Sequence, residues 1–141
     1  MPIGKVIIVD GYSKALVLQN PQVLFAFDDN QHRVGTTGQA AHCRGLPNTV
    51  GIPTKVSHST YIFDQDVFNN LAFFSRPVIE AFVKLRNHLR TGATIAWPIE
   101  GVGTDDVSRL WLTGPRMLQA IEACKHKVFS EAVSVSIEKH T

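Results

Sequence analysis

Two glycine-rich stretches carry residues able to hold an anion, and each follows an apolar run. The first, RVGTTGQAA, sets Gly35 and Gly38 around Thr36 and Thr37, with Gln39 behind them. The second, EGVGTDDVS, offers Gly101, Val102, Gly103 and the Thr104 hydroxyl. Glycine lets the backbone approach a ligand closely, and free N–H groups at a helix start attract phosphate or carboxylate. One such loop is more often a plain turn; two in the same setting favour a phosphate cradle. Neither is a Walker loop, because no GK[ST] occurs, and the GxGxxG dinucleotide fingerprint is missing too.

Charged residues stand close to both loops. GIPTK ends on Lys55, either an ordinary exposed lysine at a strand end or the cation of a site. Asp105 and Asp106 follow the second loop, as caps for the next helical turn or as acids available for chemistry. Asp28 and Asp29 can simply end their strand, while Asn30 can hydrogen-bond a ligand or stabilise the turn. His32, His42 and His58 lack metal-ligand spacing and read as structural, so no metal or cofactor is expected. A bulky residue at Gly103 is expected to block the site and leave the fold intact.

The elements that position these residues follow from patterning. KVIIV and KALVL around Asp10-Gly11 predict an opening β-hairpin over 5–18. VLFAF reads as a strand buried on both faces, Gln39 to Arg44 as a short helix, and TVGIPTK as a second strand with a polar loop, VSHST, beyond it. Asp64 or Asp66 can cap a helical segment bearing Val67, Phe68 and Leu71. Ser75 can cap another, with Pro77 in its first turn, Gly92 past its end, and Val78, Ile79, Phe82, Leu85 and Leu89 as its buried stripe. ATIAWPI is a short strand, Thr113 with Pro115 opens a last helix, and EAVSVSIEK alternates as a half-exposed closing strand. This order predicts an α/β domain: a mixed sheet with helices on both faces, and a core over 23–141. Ligands in such sheets bind beyond the carboxyl ends of strands, where both glycine loops fall.

The 141 residues suffice for one domain spanning 1–141. A net charge of +2 is too small to argue for nucleic acid, and the modest cluster Lys84, Arg86, His88 and Arg90 reads as a solvated helix face. Cys43 and Cys124 have no CxxC spacing and fit a reducing compartment. No run approaches membrane-spanning length, so a cytoplasmic protein without a membrane partner is expected.

FAFDDN…GTTGQA, GIPTK and IAWPIEGVGTDD stand in the order and spacing of a macrodomain, and the resemblance spans about residues 23 to 125. The chain most resembles the branch of DNA ADP-ribosyl glycohydrolase antitoxins and terminal ADP-ribose glycohydrolases. There a strand ends in PTK or ITK, and the second loop reads approximately GCGxxxLxW. It also resembles small phage and bacterial proteins with a GDN…GGQA…GIPTK signature; a phage-encoded member would work in its host's cytoplasm. The resemblance implies a three-layer macrodomain-like sandwich with ADP-ribose held between the two loops. It places Lys55 on the branch's functional lysine, Asp105 near an acid some members carry, and Ser108 to Trp111 where LxW stands. The first loop departs in having TTG for a glycine pair, and the second in having TDD. The resemblance therefore implies binding of ADP-ribose or a related NAD-derived nucleotide. It extends to hydrolysis of ADP-ribosyl linkages on DNA or protein, with Lys55 and Asp105 as the catalytic pair. The alternatives are a nucleotide-binding or sequestering protein without turnover, and a structural protein that has lost the site.

Overall fold

The computed structural model describes residues 2–104 and 108–139. The chain opens with β1 (Val6–Asp10), α1 (Lys14–Gln19), β2 (Leu24–Asn30), α2 (Ala40–Cys43), β3 (Thr49–Ser57) and β4 (Thr60–Tyr61). It continues with α3 (Asp64–Asn69), α4 (Leu71–Arg90), β5 (Ile95–Pro98), α5 (Leu110–Thr113), α6 (Pro115–Glu131) and β6 (Val135–Lys139). The strands form one sheet in the order β4-β3-β2-β5-β1-β6. β4 runs antiparallel to β3, and the other neighbouring pairs are parallel.

Helices cover both faces of this mixed sheet, which makes the architecture α/β. On one face Val17 of α1 and Ala40 and Cys43 of α2 pack with Phe25 and Phe27. On the other, Ala26, Ile95 and Trp97 meet α4 and α6. The continuous apolar run of β2 follows directly: successive side chains enter two different cores. α4 buries Phe74, Val78, Ala81, Phe82, Leu85 and Leu89 at helical spacing. Phe82 stacks on Trp97 with ring centroids 6.0 Å apart. Ile79, expected in that stripe, lies on its flank and is 53% exposed.

Several expectations need correction. Residues 5–18 are not a hairpin. The turn after Asp10 is present, but Ser13 then accepts a hydrogen bond from the Leu16 N–H at 3.1 Å and caps α1. KALVL is too short for its periodicity to separate helix from strand, and the cap decides. Ser75 is not a cap either. It lies inside α4, where its Oγ donates to the Leu71 carbonyl at 2.6 Å. Pro77 is therefore interior, and its missing N–H deprives the Phe73 carbonyl of a helical partner. Gln31 Nε2 supplies one at 3.1 Å. The expected polar loop VSHST is instead the tight β3–β4 hairpin, with Ser57 paired to Thr60.

The connections fix where a crevice must open. β2 returns to β3 through α2 on one face, whereas β5 continues to β6 through α5 and α6 on the other. β2 and β5 are adjacent but pair only at Leu24↔Ile95 and Phe25↔Ala96. Beyond that point the two strands part, and the chain leaves them toward opposite faces. This is a topological switch point, the usual ligand position in a parallel α/β sheet.

Candidate functional site

The crevice is built from the end of β2. The Asp28 carboxylate accepts from the Thr54 hydroxyl on β3 and from the Gly103 N–H at 2.9 Å. Its backbone N–H donates to Gln39 Oε1 at 2.7 Å, and Gln39 Nε2 donates onward to the Gly101 carbonyl at 2.9 Å. One acid and one amide thus lash both glycine loops to the same strand end. Charge-assisted bonds of this kind are the stronger ones, and Gln39 is buried, so water competes little for its bonds.

Asp29 fastens the other side of the first loop. Its buried carboxylate pairs with Arg33 at 3.0 Å and with Arg44. Arg33 also donates to the Gly51 carbonyl at 2.8 Å, and Arg44 Nε to the Gly35 carbonyl at 2.6 Å. Gly51 has to be glycine, because a Cβ there would lie 2.2 Å from Asp29 Oδ2. Asn30 Nδ2 closes the loop on the Val34 carbonyl at 2.8 Å. A buried carboxylate is tolerated when it is fully paired, as this one is.

Lys55 is not the exposed strand-end lysine of the simpler reading. It is 8% exposed. Its ammonium donates to the His58 carbonyl and lies 5.0 Å from the centroid of the Tyr61 ring, a cation–π contact. The β3–β4 hairpin thereby turns the charge into the cleft beside Asn30 and Gln39. Among the described residues that line the cleft, Asp28 and Asp29 stand with Arg44 and Lys55.

Of the expected site residues, Asn30, Gly35, Thr37, Gly38, Gln39 and Lys55 line the cleft together. Thr36 is exposed on the loop outside this wall. The second loop contributes differently. Val102 is wholly buried in the core, so it is a packing residue and not a wall of the cleft. Gly101 and Gly103 are tied to Gln39 and Asp28, and Thr104 Oγ1 donates to the Glu100 carbonyl at 2.6 Å. Gly103 has φ +84°, and a Cβ on it would stand 2.9 Å from Leu110 Cδ1. A valine there would therefore disturb the core as well as the loop, contrary to expectation. Asp105 and Asp106 lie outside the described residues.

Three contributors escaped the sequence reading: Asp28 as the lash, Thr54 as its partner, and Arg44 as the clamp on Asp29. The available signal was two consecutive acids at the end of an apolar strand, with basic residues just beyond. Cys43, directly behind the first loop, is no nucleophile, since burial pushes its thiol up to about 12.

The cleft encloses only about 40 Å³. That admits one small polar group, with any larger ligand lying across the exposed crest of the first loop. Among the described residues, no group of three His, Cys, Asp or Glu side chains could hold a metal ion, and no helix is long and apolar enough to cross a membrane. A family model described as a family of unknown function (DUF7831) matches residues 7–124. No curated protein and no solved structure matches the chain.

Proposed function

The chain belongs to this family of unknown function, and we propose that it binds ADP-ribose or a related NAD-derived nucleotide at the crevice between β2 and β5. The observation that carries this reading is the pair of glycine loops lashed to Asp28 at a topological switch point, with the Lys55 charge turned into the same cleft. Backbone groups of Gly35 to Gly38 supply the diphosphate cradle. The cleft takes one phosphate or ribose edge beside Lys55, and the remainder of the nucleotide extends over the exposed loop.

Hydrolysis of an ADP-ribosyl linkage on DNA or protein is the second reading. It needs Lys55 and the Asp105 carboxylate at one sugar, in a proton-transfer or nucleophilic role. The ammonium already bonded to the His58 carbonyl, against the Tyr61 face, suits a binding cation better than a nucleophile. Incubation with ADP-ribosylated DNA and with ADP-ribosylated protein separates the two. Saturable ADP-ribose binding without release of ADP-ribose supports the binding protein. Release that Lys55→Ala slows by about a hundredfold supports the hydrolase. Neither binding nor release would leave a structural protein on a macrodomain-like scaffold.

A further inference from the structure

We propose that the chain pairs with a second copy of itself along β6, strand to strand, at an outer edge of the sheet. Among the described residues β6 bonds only to β1, in an unbroken parallel register from Val6↔Val135 to Asp10↔Lys139. The Ser134 carbonyl accepts from the Val6 N–H at 2.9 Å, so by alternation the N–H and C=O of Val135 and Ile137 point away from β1. An open row of this kind is a template for another strand, and proteins commonly blunt it with proline, a bulge or a charge. Residues 133–137 read VSVSI and have none of these. Val133, Val135 and Ile137 are 73%, 46% and 68% exposed, and Ser134 and Ser136 are exposed on the opposite face. Both faces are therefore bare, and no described helix overhangs the edge to keep a second molecule away.

Topology and register identify the occupant. The opposite edge of the sheet is β4, two residues long, so each molecule offers a single edge of useful length, and the contact that closes is like to like. Val135 and Ile137 share the face of their β1 partners Val6 and Ile8, which pack into the core beneath α4 and α6. A two-fold axis perpendicular to the sheet at Ser136 keeps that face on one side in both copies. Antiparallel pairing about it sets Val135 opposite the partner's Ile137 twice, each pair exchanging two N–H···O bonds, with Ser136 opposite the partner's Ser136. Apolar residues then meet apolar residues across the join. Moving the axis to Ile137 would instead set Lys139 against the partner's Val135. The two strand-end crevices open at opposite ends of one continuous sheet, so pairing leaves both accessible.

Sedimentation equilibrium on the whole chain tests this, together with thiol cross-linking in a Cys124→Ser background. One strand pair is a small interface, so a reversible dimer with a dissociation constant in the micromolar range is expected. Non-hydrogen-bonded residues directly opposite each other lie ~4.5 Å apart at Cα, within disulfide reach. Ser136→Cys should therefore give a disulfide-linked dimer under mild oxidation. Ser134→Cys, exposed on the same face, should not, because its two copies would stand about 14 Å apart along the strands. Ile137→Pro removes only an outward N–H, so the pairing with β1 should survive with an unaltered circular dichroism spectrum. The two-fold doubles that loss, and the dimer should weaken about thirtyfold; Ile137→Lys is the second variant should proline disturb the strand. The proposal is overturned if the chain stays monomeric at the highest concentration reached, if both Ile137 variants dimerise like wild type, or if Ser134→Cys links as readily as Ser136→Cys. A monomer that takes up a foreign extended peptide at β6 would also overturn it, because another protein's strand would then be the occupant.

Discussion

Asp28 holds three parts of the chain at once: the Thr54 hydroxyl, the Gly103 N–H and, through its own backbone, the Gln39 side chain. Asp28→Leu should strand the Gly103 N–H and the Thr54 hydroxyl, and cost about 2–4 kcal/mol by urea denaturation. Thr54→Val removes one neutral donor and should cost about 1 kcal/mol. Equal losses for the two variants would show that the carboxylate does not organise the loops. Cys43 behaves as a pH probe of the same region. Its thiol titrates near 9.0 in the unfolded chain and near 12 in the fold. A group with a raised folded value contributes stability below its unfolded pKa and loses it as pH rises toward the folded one. Stability should therefore decline between about pH 9 and 12, and Cys43→Ala should flatten that decline in denaturation at stepped pH.

At the scale of elements, local chemistry and long-range partners divide the outcome. VLFAF, TVGIPTK and the α4 stripe were legible because their apolar periodicity is enforced by burial on the faces it predicts. KALVL and Ser75 were misread because residues outside the window decide them. A cap before Leu16 makes the first a helix, and Gln31, distant in sequence, repairs the carbonyl that Pro77 leaves unpaired. The positions of both glycine loops were legible; the hydrogen bonds joining them were not, since no local pattern couples Asp28 to Gly103. Gln31→Ala should cost about 1 kcal/mol in wild type. In a Pro77→Ala background the restored helical N–H can take the Phe73 carbonyl, and the same change should cost almost nothing. Equal costs in both backgrounds, measured as a double-mutant cycle, would contradict this repair. Gly103→Val should lower stability by about 2 kcal/mol or more through its positive φ and the Leu110 contact, visible as a lower thermal midpoint.

The whole molecule is two cores divided by one mixed sheet, whose antiparallel β3–β4 hairpin holds Lys55 at one edge. The basic residues of α4 do not form a single solvated face. Arg86 and Arg90 grip Glu131 at the end of α6 at 2.9 and 2.8 Å, tying the two helices on one side of the sheet. Hydrogen bonding from Arg90 holds the Glu131 carboxyl below its ordinary value of 4.5. A lowered folded pKa gives stability above the unfolded value that is lost as pH falls through the folded one. Glu131→Gln should accordingly weaken the dependence of stability on pH below about 4.5. At the other end of the sheet, beyond β2, lies the crevice proposed to take the nucleotide. Calorimetric titration of ADP-ribose into the wild type and into Lys55→Ala tests that proposal most directly. Saturable one-to-one binding is expected, weakened about tenfold or more in the variant through loss of a desolvated cation, with a lower thermal midpoint because the His58 and Tyr61 contacts of Lys55 are lost with it. No heat from the wild type, or the same affinity in a folded Lys55→Ala protein, would contradict it.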